Sequence, residues 1–270
     1  MSSVSIIISF YNNIHYLKIL LAGFDAQSFK DFEVIIADDG SRKEVIKQLD
    51  EIKNDYSFPI KHIWHEDKGF RKNKIYNRAI MEAGSGYLIF VDGDCVPHKD
   101  FVKEHFLNKE NNCCLTGRRV NLSGRITIGL TPVKVKAGYL DRSLVKLFMD
   151  SLLNATSSAE KGIYIKNKFL RKLFNKKKRG LLGCNMSIHK EDVLAINGFD
   201  ERYEAPSIGE DTDIQYRLEL AGVKIKSLNN IAIQYHLYHK LLPRPQENLD
   251  LFEQVKKERR YFTPYGIKKT

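Results

Sequence analysis

Short apolar runs alternate with amphipathic stretches along the first third of the chain. The apolar runs, which are rich in β-branched residues, cover residues 4–10, 32–37, 60–65 and 87–91. The amphipathic stretches between them cover residues 14–26, 41–52 and 73–83. Such alternation is typical of a mostly parallel sheet with helices on both faces. The sequence therefore predicts an α/β fold, in which ligands bind at the carboxyl ends of the strands.

The fourth apolar run ends in two acids separated by a glycine, in the sequence YLIFVDGDC. If the chain stays extended there, Asp92 and Asp94 lie on one face of the strand, and Gly93 lets a ligand approach the backbone. Carboxylate oxygens suit Mg²⁺ or Mn²⁺, which commonly take further ligands from the phosphates of a substrate. The segment therefore predicts a divalent metal site, with a simple turn as the alternative.

The Asp-Asp-Gly-Ser segment after the second predicted strand allows more than one interpretation. Asp38 and Asp39 could bind the same cation, or they could accept hydrogen bonds from a base or a ribose. The segment also suits a turn that leads into a helix, with Ser41 and Glu44 as a capping box. Tyr11, just past the first strand, could stack on a nucleobase or belong to the core.

A second acidic cluster and a pair of histidines lie in the C-terminal half. The sequence GEDTD at residues 209–213 precedes an amphipathic stretch at residues 214–221. Its acids could stabilise the start of a helix, or, held close together, raise the pKa of one member and so create a general base. His236 and His239 follow a predicted strand at residues 231–235, and either could complete a metal site.

The chain of 270 residues has a formal net charge of +11, which predicts an anionic partner such as nucleic acid, a phospholipid surface or a phosphorylated substrate. Residues 161–179 are densely basic and could form a solvated helix, an interfacial membrane helix or a nucleic-acid contact. No apolar stretch approaches the roughly 20 residues that span a bilayer. The start of the chain resembles no export signal, and the cysteines lack CxxC pairing. We therefore expect a cytoplasmic protein that could bind the inner face of the cell membrane peripherally.

Several segments match a known family in their order and spacing. They read SIIISFYNN, VIIADDGS, EDKGFRKNKIYNRAI, LIFVDGDCVPH, GCNMSIHKEDVLAINGFDERY and GEDTDIQYRLELAG. In these segments the chain resembles the inverting nucleotide-sugar glycosyltransferases of family 2, and its second half is similar to the galactosyltransferase and chondroitin-polymerase branches. The resemblance implies a single GT-A catalytic domain, with a Rossmann-like, mostly parallel mixed sheet flanked by helices. Residues 1–119 would form the nucleotide-sugar-binding half, and residues 120–270 the acceptor-binding C-terminal lobe with the basic segment.

The resemblance also implies which residues bind the donor. The residues implied for the nucleotide sugar are Ser9, Tyr11, Asp38, Asp39, Arg71, Asp92 and Asp94. Among them, Tyr11 and one or both of Asp38 and Asp39 would hold the uridine, and Arg71 would lie near the diphosphate.

The metal ligands follow from the same resemblance. Asp92 and Asp94 match the family's DxD motif, in which Asp94 would ligate Mn²⁺ (or Mg²⁺) directly and Asp92 would contact ribose or metal. His239 matches a metal histidine of related galactosyltransferases, and His236 competes with it for this role. The resemblance therefore implies a metal-dependent enzyme.

For catalysis, Asp211 matches the family's base and Glu210 matches an acid that binds the acceptor. The implied reaction moves a hexose or N-acetylhexosamine from a UDP-sugar donor to a hydroxyl of a glycan or lipid-linked glycan acceptor, with inversion. Synthesis of bacterial lipopolysaccharide or capsule is the expected setting.

Two other classes of protein share part of this pattern. A nucleotidyltransferase that makes a nucleotide sugar needs a glycine- and lysine-rich loop after the first strand, where this chain has FYNN. The same lack of glycine argues against a dinucleotide site or a P-loop. A basic, metal-dependent nucleic-acid-binding protein would explain the charge, but it needs aromatic and basic residues interleaved along a groove. We therefore expect no specific nucleic acid among the partners.

Overall fold

Two sheets organise the described part of the chain, which in this computed structural model comprises residues 2–153, 155–174, 180–206, 209, 211–240 and 245–269. The strands are β1 (Val4–Phe10), β2 (Phe32–Asp38), β3 (Ile60–Trp64), β4 (Tyr87–Asp92), β5 (Cys95–Pro97), β6 (Cys113–Thr116), β7 (Arg118–Asn121), β8 (Asn185–His189), β9 (Lys224–Ser227) and β10 (Ile233–His236). The helices are α1 (Ile14–Asp25), α2 (Lys43–Ile52), α3 (Lys72–Glu82), α4 (Phe101–Leu107), α5 (Gly124–Ile128), α6 (Pro132–Lys136), α7 (Tyr139–Arg142), α8 (Leu144–Leu152), α9 (Lys168–Phe174), α10 (Lys190–Ala195), α11 (Thr212–Leu220) and α12 (Gln246–Glu258), with a 3₁₀ helix at Ala159–Gly162.

The larger sheet has seven strands in the order β3-β2-β1-β4-β8-β6-β9. Neighbouring strands in the run β3-β2-β1-β4 are parallel to each other, and β6 is parallel to β9. β8 runs antiparallel to both of its neighbours, β4 and β6. This arrangement confirms the predicted α/β fold with a mostly parallel mixed sheet flanked by helices.

The register of β1 brings the predicted strand-end acids to one edge of this sheet. Phe10 pairs with Asp38 of β2, and Ser9 pairs with Asp92 of β4. Because parallel strands end at the same edge, the acids that follow β2 and β4 lie on either side of the end of β1.

Apolar side chains cover both faces of the central strands, as buried parallel strands require. In β1, Ile6 and Ile8 pack in one cluster with residues of α1, α2 and α4, whereas Ile7 packs in the opposite cluster with residues of α3, α10 and α11. This division follows from the alternation of side chains along a strand. The apolar runs of the sequence therefore form the rigid base from which the site residues project.

The smaller sheet has the strand order β5-β10-β7 and begins immediately after β4. β4 ends at Asp92 and β5 begins at Cys95, so the chain turns at Gly93 and Asp94 from one sheet into the other. The segment does not stay extended, so the condition for placing Asp92 and Asp94 on one face of a strand is not met. In β10, His236 pairs with Cys95, which brings the histidine pair beside the turn.

Close packing at Gly93 explains why the chain can turn there. A Cβ atom at this position would lie 2.7 Å from the carbonyl oxygen of Ser9 in β1. Glycine therefore lets the turn press against the end of β1, closer than any side chain would allow.

The predicted capping box of α2 does not form. Arg42 is the N-cap residue of this helix and makes no side-chain capping hydrogen bond. Instead, the Ser41 hydroxyl accepts a hydrogen bond of 2.7 Å from the backbone N–H of Asn12. Ser41 therefore joins the loop after β2 to the loop after β1, and this tertiary contact replaces the local one.

Two features bear on the predicted location of the protein. Among the described helices, none has the length and apolar character needed to cross a bilayer. The basic segment 161–179 is described as far as α9, and residues 175–179 lie outside the described residues. All four cysteines are free and buried.

Candidate active site

A cavity of about 990 Å³ opens where β1 and β4 end. The predicted site residues that line it are Ser9, Tyr11, Asp39, Asp92, Asp94, Asp211, His236 and His239. Asp38 and Arg71 do not line it, and Glu210 lies outside the described residues. A second cavity, of about 720 Å³ beside β3 and α3, is lined by none of the predicted residues that the structure describes. The larger cavity is therefore the candidate active site.

Asp94 meets both histidines at one side of this cavity. Its Oδ2 atom lies 3.5 Å from His236 Nε2 and 3.1 Å from His239 Nε2, and the two Nε2 atoms are 3.2 Å apart. Burial acts to raise the pKa of Asp94, but hydrogen bonds from the two histidines outweigh it and hold that pKa well below its usual range. Asp94 is therefore ionised at neutral pH.

These three atoms have the spacing of ligands around one small cation. Atoms on adjacent corners of an octahedron with bonds of about 2.1 Å lie about 3.0 Å apart. One carboxylate and two imidazoles are a donor set that suits Mn²⁺. The residues present therefore fit a divalent metal, and the structure brings both candidate histidines to the same carboxylate.

Asp92 has different partners from Asp94. Its Oδ1 atom accepts hydrogen bonds from the Ser9 hydroxyl at 2.9 Å and from Lys72 Nζ at 2.6 Å. Lys72 is the first residue of α3 and is largely buried. The charge of Asp92 is therefore balanced by a lysine, which leaves Asp94 as the carboxylate better placed for a metal.

Two basic residues of the cavity were not predicted from the sequence. Lys72 lies within the segment EDKGFRKNK, where only Arg71 was singled out. Arg119 is the second residue of β7. Its Nη1 atom lies 3.3 Å from Cys184 Sγ and 3.9 Å from Cys95 Sγ. Both basic residues line the cavity, where Lys72 is paired with Asp92. The alternation of charge in EDKGFRKNK was a usable signal for Lys72, whereas nothing near Arg119 distinguished it.

The loops after β1 and β2 form the other side of the cavity. Tyr11 is half exposed, and its hydroxyl donates a hydrogen bond of 2.9 Å to Asp67. Asp39 lies 2.6 Å from His65 Nε2 and accepts a 2.8 Å hydrogen bond from the backbone N–H of Arg71. Burial raises the pKa of Asp39. Tyr11 and Asp39 are therefore fixed by neighbours that the sequence did not indicate.

Asp38 and the Arg71 side chain point away from the cavity lining. Asp38 is fully buried, where it accepts a hydrogen bond from the backbone N–H of Ser41 at 2.8 Å and lies 2.9 Å from His62 Nε2. The Arg71 guanidinium donates to the carbonyl oxygen of Glu66. These contacts favour a structural role for Asp38 and leave Asp39 as the acid that a ligand would meet.

Asp211 lines the cavity from the start of α11. It occupies the N-cap position of α11 but makes no side-chain capping hydrogen bond, and its Oδ1 accepts one of 3.1 Å from the Thr212 hydroxyl. Burial raises the pKa of Asp211, and the charge of Asp92 adds to this, while Thr212 and Lys72 act in the opposite direction. A carboxylate with these properties suits a general base.

Asp213, another acid of the same cluster, has a structural role instead. It is fully buried, its Oδ2 lies 2.7 Å from the Arg217 guanidinium one turn along α11, and the Tyr203 hydroxyl donates to its Oδ1 at 3.3 Å. Among the described acids of this cluster, Asp211 is therefore the one that faces the cavity.

Sequence comparison assigns the chain to a family. The profile described as glycosyl transferase family 2 matches residues 5–127, and the profile described as the N-terminal domain of galactosyltransferase matches residues 168–240. Residues 5–127 therefore form a glycosyltransferase family 2 domain. Between them, the two matched regions of this glycosyltransferase contain Ser9, Tyr11, Asp94, Asp211 and the histidine pair.

Individual relatives agree with this family 2 assignment. The chondroitin synthase of Escherichia coli is 26% identical over 242 residues, which cover 86% of this chain and 34% of that enzyme. The glycosyltransferase thus spans about a third of that relative's length. Two solved structures share its fold. The structure of S. aureus TarS with UDP-GlcNAc matches with a TM-score of 0.62 and 18% identity, over 95% of this chain and 66% of TarS. The structure of the mannosyltransferase PcManGT from Pyrobaculum calidifontis with GDP-Man and Mn²⁺ matches with a TM-score of 0.54 and 14% identity, over 88% of this chain and 58% of PcManGT. The fold is therefore the GT-A fold.

Proposed function

We propose that this glycosyltransferase moves a hexose or an N-acetylhexosamine from a UDP-sugar to a hydroxyl of a glycan or lipid-linked glycan, with inversion. The observation that carries the proposal is one cavity lined by an aromatic side chain, an Asp-His-His set and a partly buried carboxylate, Asp211. The TarS structure contains UDP-GlcNAc, which supports a UDP-sugar as the donor. The family assignment favours sugar transfer over nucleotide-sugar synthesis and over nucleic-acid binding.

In the donor site, we propose that Tyr11 stacks on the uracil base and that Asp39 accepts a hydrogen bond from the base or the ribose. Lys72 and Arg119 face the diphosphate, because they supply the positive charge of the cavity. Arg71, which the sequence placed near the diphosphate, acts through its backbone N–H by orienting Asp39. Ser9 contributes in the same indirect way, by orienting Asp92.

We further propose that Asp94, His236 and His239 hold Mn²⁺ or Mg²⁺, with Asp92 in contact with the ribose or the metal. When bound, such a cation neutralises the charge that develops on the leaving diphosphate. The Mn²⁺ in the Pyrobaculum mannosyltransferase structure supports this choice of metal. Asp94 contributes an ionised carboxylate, and the two imidazoles bind through their Nε2 atoms.

In the acceptor site, Asp211 removes the proton from the acceptor hydroxyl. The hydroxyl oxygen then forms a bond to the anomeric carbon of the donor, while the bond from that carbon to the phosphate oxygen breaks and the electron pair leaves with UDP. A single displacement inverts the anomeric centre. Glu210 stays our candidate for binding the acceptor, and residues 120–270 stay our candidate for the acceptor-binding lobe, with residues 1–119 binding the donor.

The biological setting that we propose is polymer assembly, in lipopolysaccharide or capsule synthesis on the inner face of the cell membrane. The relative named chondroitin synthase supports polymer assembly. Assembly of such glycans on a lipid carrier would also give the net positive charge of the chain an anionic surface to bind.

Calorimetric titration of UDP tests the metal site directly. Asp94→Asn should weaken UDP binding in Mn²⁺ by more than about tenfold, because loss of groups that merely support a metal ligand already costs about 10- to 100-fold. In EDTA, Asp94→Asn and the wild type should bind UDP equally weakly. Asp211→Asn is the matched control, since it removes a cavity carboxylate that is not a proposed ligand and should keep wild-type affinity. An equal loss with and without Mn²⁺ would exclude the metal role.

A further inference from the structure

Helix α8 exposes an apolar stripe where a surface helix normally exposes polar side chains. The stripe, called here the α8 face, consists of Val145, Phe148, Met149, Leu152 and Leu153, and all five side chains are exposed. Their spacing places them on one side of the helix. Leu147 and Asp150, on the other side, are buried. The helix therefore presents its apolar side outward.

Two neighbouring helices in the sequence, α5 and α6, carry further exposed apolar side chains. The guanidinium of Arg125 in α5 lies 2.6 Å from the carboxylate of Asp150 in α8, which holds the two helices together. Ile128 is one turn along α5 from Arg125 and is 86% exposed. Val133 of α6 is also exposed, at 78%. The five exposed apolar side chains of the α8 face mark a contact surface.

The exposed charges of the segment that carries the α8 face have one sign. Residues 124–153 contain five basic residues, all exposed: Arg125, Lys134, Lys136, Arg142 and Lys146. The same segment contains two acids, of which Asp150 is buried against Arg125 and Asp141 is partly buried beside the backbone N–H of Lys99. The exposed ionised groups of the segment are therefore cations.

We propose that the α8 face docks the protein on an anionic lipid bilayer. Its apolar side chains would enter the boundary between headgroups and acyl chains, and its rim of lysines and arginines would bind the negatively charged headgroups. A second copy of the chain fits the same surface less well, because a symmetric contact would bring two rims of positive charge together. The proposal does not depend on the sugar-transfer reaction.

Helix α9 in the basic segment was the sequence candidate for such contact. Phe169, Leu170 and Leu173 are exposed on it, but residues 175–179, which hold three of the seven lysines of the basic segment, lie outside the described residues. The α8 face therefore carries the inference alone.

Co-sedimentation with vesicles of phosphatidylcholine, with and without phosphatidylglycerol, tests the proposal. The wild type should bind the anionic vesicles, and Met149→Gln/Leu152→Gln should bind them roughly tenfold or more weakly, because two side chains no longer favour the apolar interior. Met81→Gln/Leu107→Gln is the matched control, since it makes the same changes at exposed positions outside the α8 face and should bind like the wild type. Equal binding by the two double variants overturns the proposal.

A fluorescence experiment gives an independent answer with folded protein. Leu152→Trp and Leu107→Trp each add one indole to the background of Trp64, the single tryptophan of the chain. Brominated lipids in anionic vesicles should quench the indole introduced at position 152 and leave the one at position 107 unchanged. Quenching of both, or of neither, overturns the proposal.

The charge component has its own prediction. Lys134→Gln/Lys146→Gln should weaken vesicle binding by about fivefold per charge at low salt. If the α8 face instead joins two copies, the wild type will be a dimer that Met149→Gln/Leu152→Gln converts to a monomer without loss of vesicle binding, which overturns the proposal. Donor hydrolysis should be unchanged in all these variants, because none of the altered residues lines the active-site cavity.

Discussion

Asp92 and Asp94 stand two positions apart, yet their surroundings give them different chemistry. Asp92 forms an ion pair with Lys72, so its charge is already balanced within the protein. Asp94 faces two imidazoles, which are good metal ligands when neutral. The turn at Gly93 causes this separation, because it directs the second carboxylate toward the smaller sheet. We infer that the two acids of the motif are not interchangeable.

Asp211→Asn tests the catalytic base. Turnover should fall by about 10²- to 10⁴-fold, because a carboxamide cannot take the proton of the acceptor hydroxyl. Affinity for UDP with Mn²⁺ should not change, since Asp211 is not among the residues that we propose to bind the donor or the metal. The pKa of Asp211 is raised in the folded protein, so ionisation of this carboxyl group lowers the free energy of unfolding at pH values above the pKa of an ordinary carboxyl group. The variant should therefore unfold at the same temperature as the wild type or a higher one.

The pH dependence supplies the check on this assignment. The base works only when ionised, so wild-type kcat should fall as the pH drops through the raised pKa of Asp211, and the residual activity of Asp211→Asn should not show that step. A variant that keeps wild-type kcat would mean that Asp211 is not the base, and Glu210 would then be the next residue to replace.

At the scale of elements, the sequence predicted the parallel strands well and the smaller sheet poorly. The runs that form β1, β2 and β4 are long and apolar on both sides, because helices cover both faces of the sheet. β5 has only three residues, and its partner β10 is far away in sequence, so no local pattern marks their pairing. The acids and histidines of the site could be predicted because their residue types and spacing are visible in the sequence. Lys72 and Arg119 were missed because their place in the cavity depends on contacts between distant segments, which the sequence does not show.

Gly93→Ala tests the turn between the two sheets. The added Cβ would lie 2.7 Å from the carbonyl oxygen of Ser9, so β1 or the turn must move. The free energy of unfolding should fall by about 1–3 kcal/mol, and Mn²⁺-dependent UDP binding should weaken because Asp94 moves with the turn. Urea denaturation and calorimetry measure the two effects. Gly86→Ala, just before the same strand and with open space at its Cβ, is the control and should change stability by less than about 0.5 kcal/mol. Equal effects of the two substitutions would contradict the packing argument.

At the scale of the whole molecule, one loop, residues 196–200, joins helix α3 to helix α11. From α3, Asn73 Nδ2 donates to the carbonyl oxygen of Asp200 at 2.7 Å, and Asn77 Nδ2 donates to that of Phe199 at 2.8 Å. From α11, Arg217 Nη1 donates to the carbonyl oxygens of Ile196 at 3.0 Å and Gly198 at 2.9 Å. Because α3 begins at Lys72 and α11 follows Asp211, this loop fixes the distance between Lys72 and Asp211.

Asp213→Asn tests whether this connection depends on the buried ion pair of α11. Arg217 is fully buried and lies 2.7 Å from the Asp213 carboxylate, so the substitution leaves a buried cation without its counter-charge. Such a loss typically costs about 3–5 kcal/mol, and we expect the free energy of unfolding in urea to fall by about 3 kcal/mol, because asparagine keeps the volume and an acceptor oxygen. Glu219→Gln, on the exposed side of the same helix, should have little effect.

The double variant Asp213→Leu/Arg217→Met should be more stable than Asp213→Asn, since replacing both charges removes the unpaired cation. It should nevertheless lower kcat, because the methionine cannot donate to the two loop carbonyls that position α11 and, with it, Asp211. If the double variant kept wild-type kcat, the position of the base would not depend on this connection.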